Sequence, residues 1–153
     1  MKAIKTLVVA VALAASSAMA GTYAVDTTKA MGPLTGLWWN PQESGWGMTL
    51  TQQYGVVYMT FFTYDKHGLP TWYAVSCNID NAAGSCAGNA YEFEGGAPMI
   101  GSWYDPPEAI LVGGVTIYPS SNDTMSVLMQ GFGGASWNVK SLVRQIFAAP
   151  PVR

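Results

Sequence analysis

The chain has 153 residues, one domain's worth, and half of them are apolar, a fraction raised by an N-terminal run that does not read as fold. Beyond residue 20 only Lys29, Lys66, Lys140, Arg144 and Arg153 are basic, against nine acidic side chains, a net charge of −4. So few and scattered cations exclude the basic stripe that nucleic-acid phosphates require, and they disfavour an anionic membrane surface.

Met1 to Lys5 carries Lys2 and Lys5, Thr6 to Ala15 is apolar throughout, and Ala18-Met19-Ala20 supplies small residues ahead of Gly21. This is the pattern of a secretory signal peptide over residues 1–20, and it predicts an exported protein, periplasmic or extracellular. A membrane anchor is the alternative, but the run is too short for about 30 Å of hydrocarbon. Residues 21–35 are polar and hold Gly32-Pro33, so they read as a flexible lead-in. A single all-β domain is expected over 36–149, with a tail at 150–153.

The domain opens on Gly36-Leu37-Trp38-Trp39-Asn40-Pro41-Gln42-Glu43-Ser44-Gly45-Trp46-Gly47, where three tryptophans and three glycines surround one carboxylate. Strand-like runs follow at Trp46–Gln52, Val56–Tyr64, Leu69–Ser76, Ala90–Phe93, Pro98–Tyr104, Ile110–Pro119, Thr124–Gln130 and Ser136–Phe147. β-Branched and aromatic residues dominate them, and the breaks fall at turn residues such as Tyr54-Gly55 and Asp65-Lys66-His67-Gly68. In the first run Met48 and Leu50 share a face with Trp46, while Val56–Tyr64 is apolar on both faces.

Every connection is too short for a helical crossover, so the strands should be antiparallel neighbours. Closing an up-and-down sheet removes its edges, and about eight strands leave an interior for side chains or one small ligand. The expectation is therefore an eight-stranded antiparallel up-and-down β-barrel, with a β-sandwich as the alternative.

Cys77 and Cys86 are the only cysteines, and an exported pair predicts one disulfide stapling a hairpin. Closing so short a loop limits its contribution to about 2–3 kcal/mol. A metal or redox site is the alternative, but the spacing is not Cys-x-x-Cys and no histidine lies near. No metal or other cofactor is expected.

Catalytic chemistry is poorly supplied. His67, the single histidine, falls in a turn, and no Gly-x-Ser-x-Gly elbow or phosphate-cradling loop occurs. A carboxylate pair joining Glu43 with Asp65, Glu92, Glu94 or Asp105 leaves a glycosidase formally open. The methionines read as core filler rather than copper ligands. Aromatics carry the strongest signal, with six Trp, eight Tyr and five Phe. They either fill the barrel and cap its ends or line a pocket and the surface. Trp39, Glu43, Trp46, Trp72 and Tyr73 are the candidate ligand contacts. For Glu43 a structural role, accepting turn amides or pairing with Arg144, is weighed ahead of a functional one.

The Gly36–Gly47 stretch, with Gly68-Leu69-Pro70-Thr71-Trp72-Tyr73 and the closing Val139-Lys140-Ser141-Leu142-Val143-Arg144-Gln145-Ile146-Phe147, resembles a module found in exported proteins of proteobacteria, alone or repeated. That resemblance implies a compartment and no chemistry. Separately, Gly36-x-Trp38 with a late Arg144 resembles the signature of calycin barrels such as lipocalins and avidins. It implies that Gly36, Trp38 and Arg144 are structural, the arginine packing over the tryptophan at the barrel floor.

The leading functional expectation is a non-enzymatic binding module for a small apolar or sugar-like ligand. A structural or protein-interaction module, including self-association, comes second, and a secreted glycosidase-like enzyme third.

Overall fold

Period-two alternation decides which side chains meet inside, and the chain uses it on eight strands. The computed structural model describes residues 22–131 and 138–148. The expected signal peptide and tail lie outside the described residues. The strands are β1 (Gly36–Trp39), β2 (Gly47–Gln53), β3 (Val56–Tyr64), β4 (Pro70–Asp80), β5 (Ser85–Glu94), β6 (Glu108–Pro119), β7 (Thr124–Gln130) and β8 (Asn138–Arg144). Each pairs antiparallel with the next, and β8 returns to β1 through Trp38↔Arg144 and Trp39↔Val143. The result is a closed up-and-down barrel, and the sandwich alternative is excluded.

The strand count matches the expectation, but its membership differs. Residues 98–104 form no strand: Met99 and Ile100 are almost fully exposed, and Gly101 takes φ 124°, which breaks the extended run. The eighth strand is instead the four-residue β1, too short to show alternation by itself. Leu69–Ser76 also grows at its far end, since β4 runs on to Asp80 and β5 begins at Ser85, closing a hairpin whose turn is 81–84. Cys77 and Cys86 are joined across this hairpin, both buried inside the barrel.

The interior stacks Met48 and Leu50 of β2 against Val57, Met59 and Phe61 of β3, Val75 of β4, Val115 and Ile117 of β6, Met125 and Val127 of β7 and Leu142 of β8. Removing each such side chain from water stabilises the fold by about 1.5–3 kcal/mol. Among the described residues one buried side chain is polar. Gln52 is fully enclosed, yet its Nε2 donates to the carbonyls of Asp26 (3.1 Å) and Tyr54 (2.9 Å), and its Oε1 accepts from the Leu34 amide (3.3 Å).

Those bonds correct the expected flexible lead-in. Residues 22–35 lie across the barrel end where the β2–β3, β4–β5 and β6–β7 turns meet, burying Val25 and Leu34. Gly32 packs so closely that a Cβ there would come within 1.9 Å of the Gln52 side chain. Tyr54, at φ 51°, donates its amide to Lys29, and Asn81 accepts the amide of Val25. The apolar Val25 and Leu34 outweigh the polar composition around them, and the segment plugs the floor.

Arg144 ties the plug to the sheet. Its guanidinium lies 4.7 Å over the Trp38 ring and donates to the carbonyls of Pro33, Thr35 and Asn122, while Nε reaches Asp123 at 3.0 Å. The indole Nε1 of fully buried Trp38 donates to Leu34 at 2.9 Å. Gly36, at φ 151°, leaves the space that the guanidinium fills, since a Cβ would sit 2.7 Å from Nη1.

Candidate functional site

With one end plugged, the opposite end is where the interior is reached. It is bounded by the turns after β1 and β3 and by the ends of β4, β5, β6, β7 and β8. Inward-facing side chains end there in Phe61 and Thr63 of β3, Tyr73 of β4, Met129 of β7 and Lys140 of β8. Trp46, Glu43 and Asn138 complete a cavity of about 350 Å³. A second space of about 540 Å³ adjoins it through Asp65, Lys66 and Tyr73 and runs on to Glu92, Glu94 and Val112. Volumes of this size match those that hold small ligands.

Glu43 is already engaged. Lys140 Nζ stands 2.6 Å from its Oε1, and Trp46 Nε1 donates to its Oε2 at 3.2 Å. The Lys140 hydrogen bond holds the Glu43 carboxyl below the ordinary carboxylate range, helped by the Lys140 charge and the indole bond. Asp65 is likewise lowered, chiefly by the Leu69 amide, as its carboxylate also accepts from the His67 amide at 2.8 Å in the β3–β4 turn. Burial raises the Tyr73 phenol, and the charges of Glu92 and Asp65 raise it further.

The five sequence candidates divide by parity. Glu43, Trp46 and Tyr73 face the mouth. Trp72, the neighbour of Tyr73, must point the other way: it is 45 % exposed on the outer wall and stacks on Phe93, with ring centres 4.6 Å apart. Trp39 also lies outside, in a groove with Leu37, Phe62, Gln145 and Phe147, and Trp46 stands between that groove and the mouth, lining both. Along the register Trp39, Gly47, Phe62 and Trp72 are consecutive partners, so an aromatic row crosses the outer wall. Gly47 serves that row, because a Cβ there would come within 2.9 Å of the Phe62 ring.

Lys140 is the residue that the sequence reading missed. It stands 97 positions from Glu43, and only barrel closure brings β8 beside the β1–β2 turn. Arg144, the partner weighed for Glu43, is at the opposite end with Asp123. Asp65, Glu92 and Glu94, considered only as glycosidase partners, also gather at the mouth. His67 is exposed in its turn.

Chemically the mouth offers aromatic faces, a fixed ion pair and several solvated carboxylates. The two mouth carboxyl groups displaced from their ordinary range, Glu43 and Asp65, both move downward, which suits permanent charge and not proton donation at neutral pH. Among the described residues no group of three or more His, Cys, Asp or Glu side chains is placed to hold a metal ion. No protein-family model, no curated protein and no solved structure matches the chain.

Proposed function

We propose that this is an exported, non-enzymatic binding module whose barrel mouth takes one small ligand with an apolar or sugar-like body. The observation that carries the reading is the mouth's construction: Trp46, Phe61 and Tyr73 border a cavity of about 350 Å³ while the other end is plugged. Aromatic faces with a few placed polar groups, here Thr63, Asn138 and the Glu43–Lys140 pair, are what such a ligand needs for stacking and orientation. The buried disulfide favours an oxidising compartment, in keeping with the leader-like N-terminus.

A screen of sugars and small lipophiles by intrinsic fluorescence tests the reading, with Trp46→Phe as the control. A ligand whose signal is lost in that variant supports it. Absence of response across the screen, or a response unchanged in Trp46→Phe, removes it.

A second reading rests on the outer row of Phe62, Trp72 and Phe93 and the adjoining groove at Trp39 and Phe147. Exposed apolar surface of this kind suits self-association of two copies. Sedimentation of the purified chain over a wide concentration range decides it, a strict monomer counting against a dimer.

A further inference from the structure

The carboxylates of this chain are not evenly spread. All nine lie among the described residues, and six of them, Glu43, Asp65, Glu92, Glu94, Asp105 and Glu108, stand on the turns and strand ends at the mouth. Among the described residues the cations at that end are Lys66 and Lys140. The floor carries Asp26, Asp80 and Asp123 against Lys29 and Arg144, which is close to balance.

Within the mouth the asymmetry sharpens. Lys140 is neutralised by Glu43 at 2.6 Å, so in the adjoining space Asp65, Glu92 and Glu94 have, among the described residues, solvent-exposed Lys66 as their one facing cation. Hydrogen bonds from the Asp65 turn amides and from Thr71 to Glu92 (2.9 Å) orient two of these carboxylates without cancelling their charge. Beside them stand Trp46, Phe61, Tyr64 and Tyr73, whose ring faces carry the negative side of the aromatic quadrupole. Aromatic walls and uncompensated carboxylates attract the same species, and a cleft of one sign draws that species in over a longer range.

We propose that the mouth selects a small organic cation: a ligand with an ammonium or amidinium group on an apolar or amino-sugar body. The apolar body stacks on Trp46 and Tyr73, and the cationic group lies toward Glu92 and Glu94. This rests on the mouth being the binding site.

Calorimetric titration of the full exported chain with two matched series tests it: glucosamine, glucose and glucuronate, then benzylamine, benzyl alcohol and benzoate. In at least one series the amine should bind about tenfold tighter than the neutral analogue, the range expected of charge and cation–π contacts together, with the acid weakest. The preference should fall severalfold in Glu92→Gln/Glu94→Gln, whose substituted side chains are partly or largely exposed and whose thermal unfolding serves as the folding control, and it should also shrink in high salt. Neutral and cationic analogues binding equally in both series would overturn the inference and leave the mouth reading standing. Amine binding that survives undiminished in the double variant would overturn it too. Absence of binding by any member would overturn both readings.

Discussion

Arg144 gives the floor its most exacting test. Replacing it by alanine removes the cation over Trp38 and the donors to Pro33, Thr35, Asn122 and Asp123. Charge-assisted hydrogen bonds contribute about 1.5–3 kcal/mol each when taken singly, but such contributions do not add within one cluster. The side chain of Arg144 is 18 % exposed and that of Asp123 is 70 % exposed, so water re-solvates part of what is lost. We expect Arg144→Ala to cost about 3 kcal/mol, below the 3–5 range's upper end for a dismantled buried pair. Arg144→Lys keeps the charge but loses the planar fork that serves several carbonyls at once, and should cost about half as much. For a domain of this size the alanine variant should melt about 10 °C lower. Urea unfolding followed by circular dichroism measures both. Arg144→Lys within about 0.5 kcal/mol of the unsubstituted chain would refute the claim that a fork, and not simply a charge, holds the plug.

Other outcomes follow from the same geometry. Gln52→Leu strands the Leu34 amide and the carbonyls of Asp26 and Tyr54, and should cost about 2–4 kcal/mol in equilibrium unfolding. Gly32→Ala drives a Cβ into the Gln52 side chain and should expose the lead-in to limited proteolysis, which Gly114→Ala, where a Cβ meets nothing nearer than 3.7 Å, should not. Replacing both cysteines by serine should leave the barrel folded and remove about 2–3 kcal/mol. Because the Glu43 pKa lies lower in the folded chain than its reference of 4.5, its ion pair contributes stability above that pH and loses it as pH falls through the folded value. The melting-temperature difference between the unsubstituted chain and Lys140→Met should therefore be present at pH 7 and vanish under strongly acid conditions.

How much could be read in advance varied with the physics of each segment. Val56–Tyr64 and Thr124–Gln130 were legible to the residue, because Tyr54-Gly55, Asp65–Gly68 and Ser120–Asp123 are turn-formers that bracket β-rich runs. Residues 98–104 have the composition of a strand but no partner, and composition cannot report pairing. The lead-in was misread because two buried side chains, Val25 and Leu34, settle its fate amid polar neighbours. At the site, Glu43, Trp46 and Tyr73 could be found from residue type. Parity says that Trp72 and Tyr73 must face opposite ways, yet not which one faces in, and that depends on the register of the closed sheet. Lys140 depends on closure as well, since its pairing with Glu43 spans the whole barrel sequence.

Entry of a ligand at the mouth, as against the outer row, is read by mapping amide and indole NMR shifts during a titration with a ligand found by the fluorescence screen. The indole Nε1–H of Trp46 and the amides of Thr63, Tyr73, Met129 and Asn138 should move together, with the Trp72 indole unmoved. Shifts centred on Trp72, Phe93 and Phe62, with the amides of Thr63, Tyr73, Met129 and Asn138 still, would put the ligand on the outer row instead.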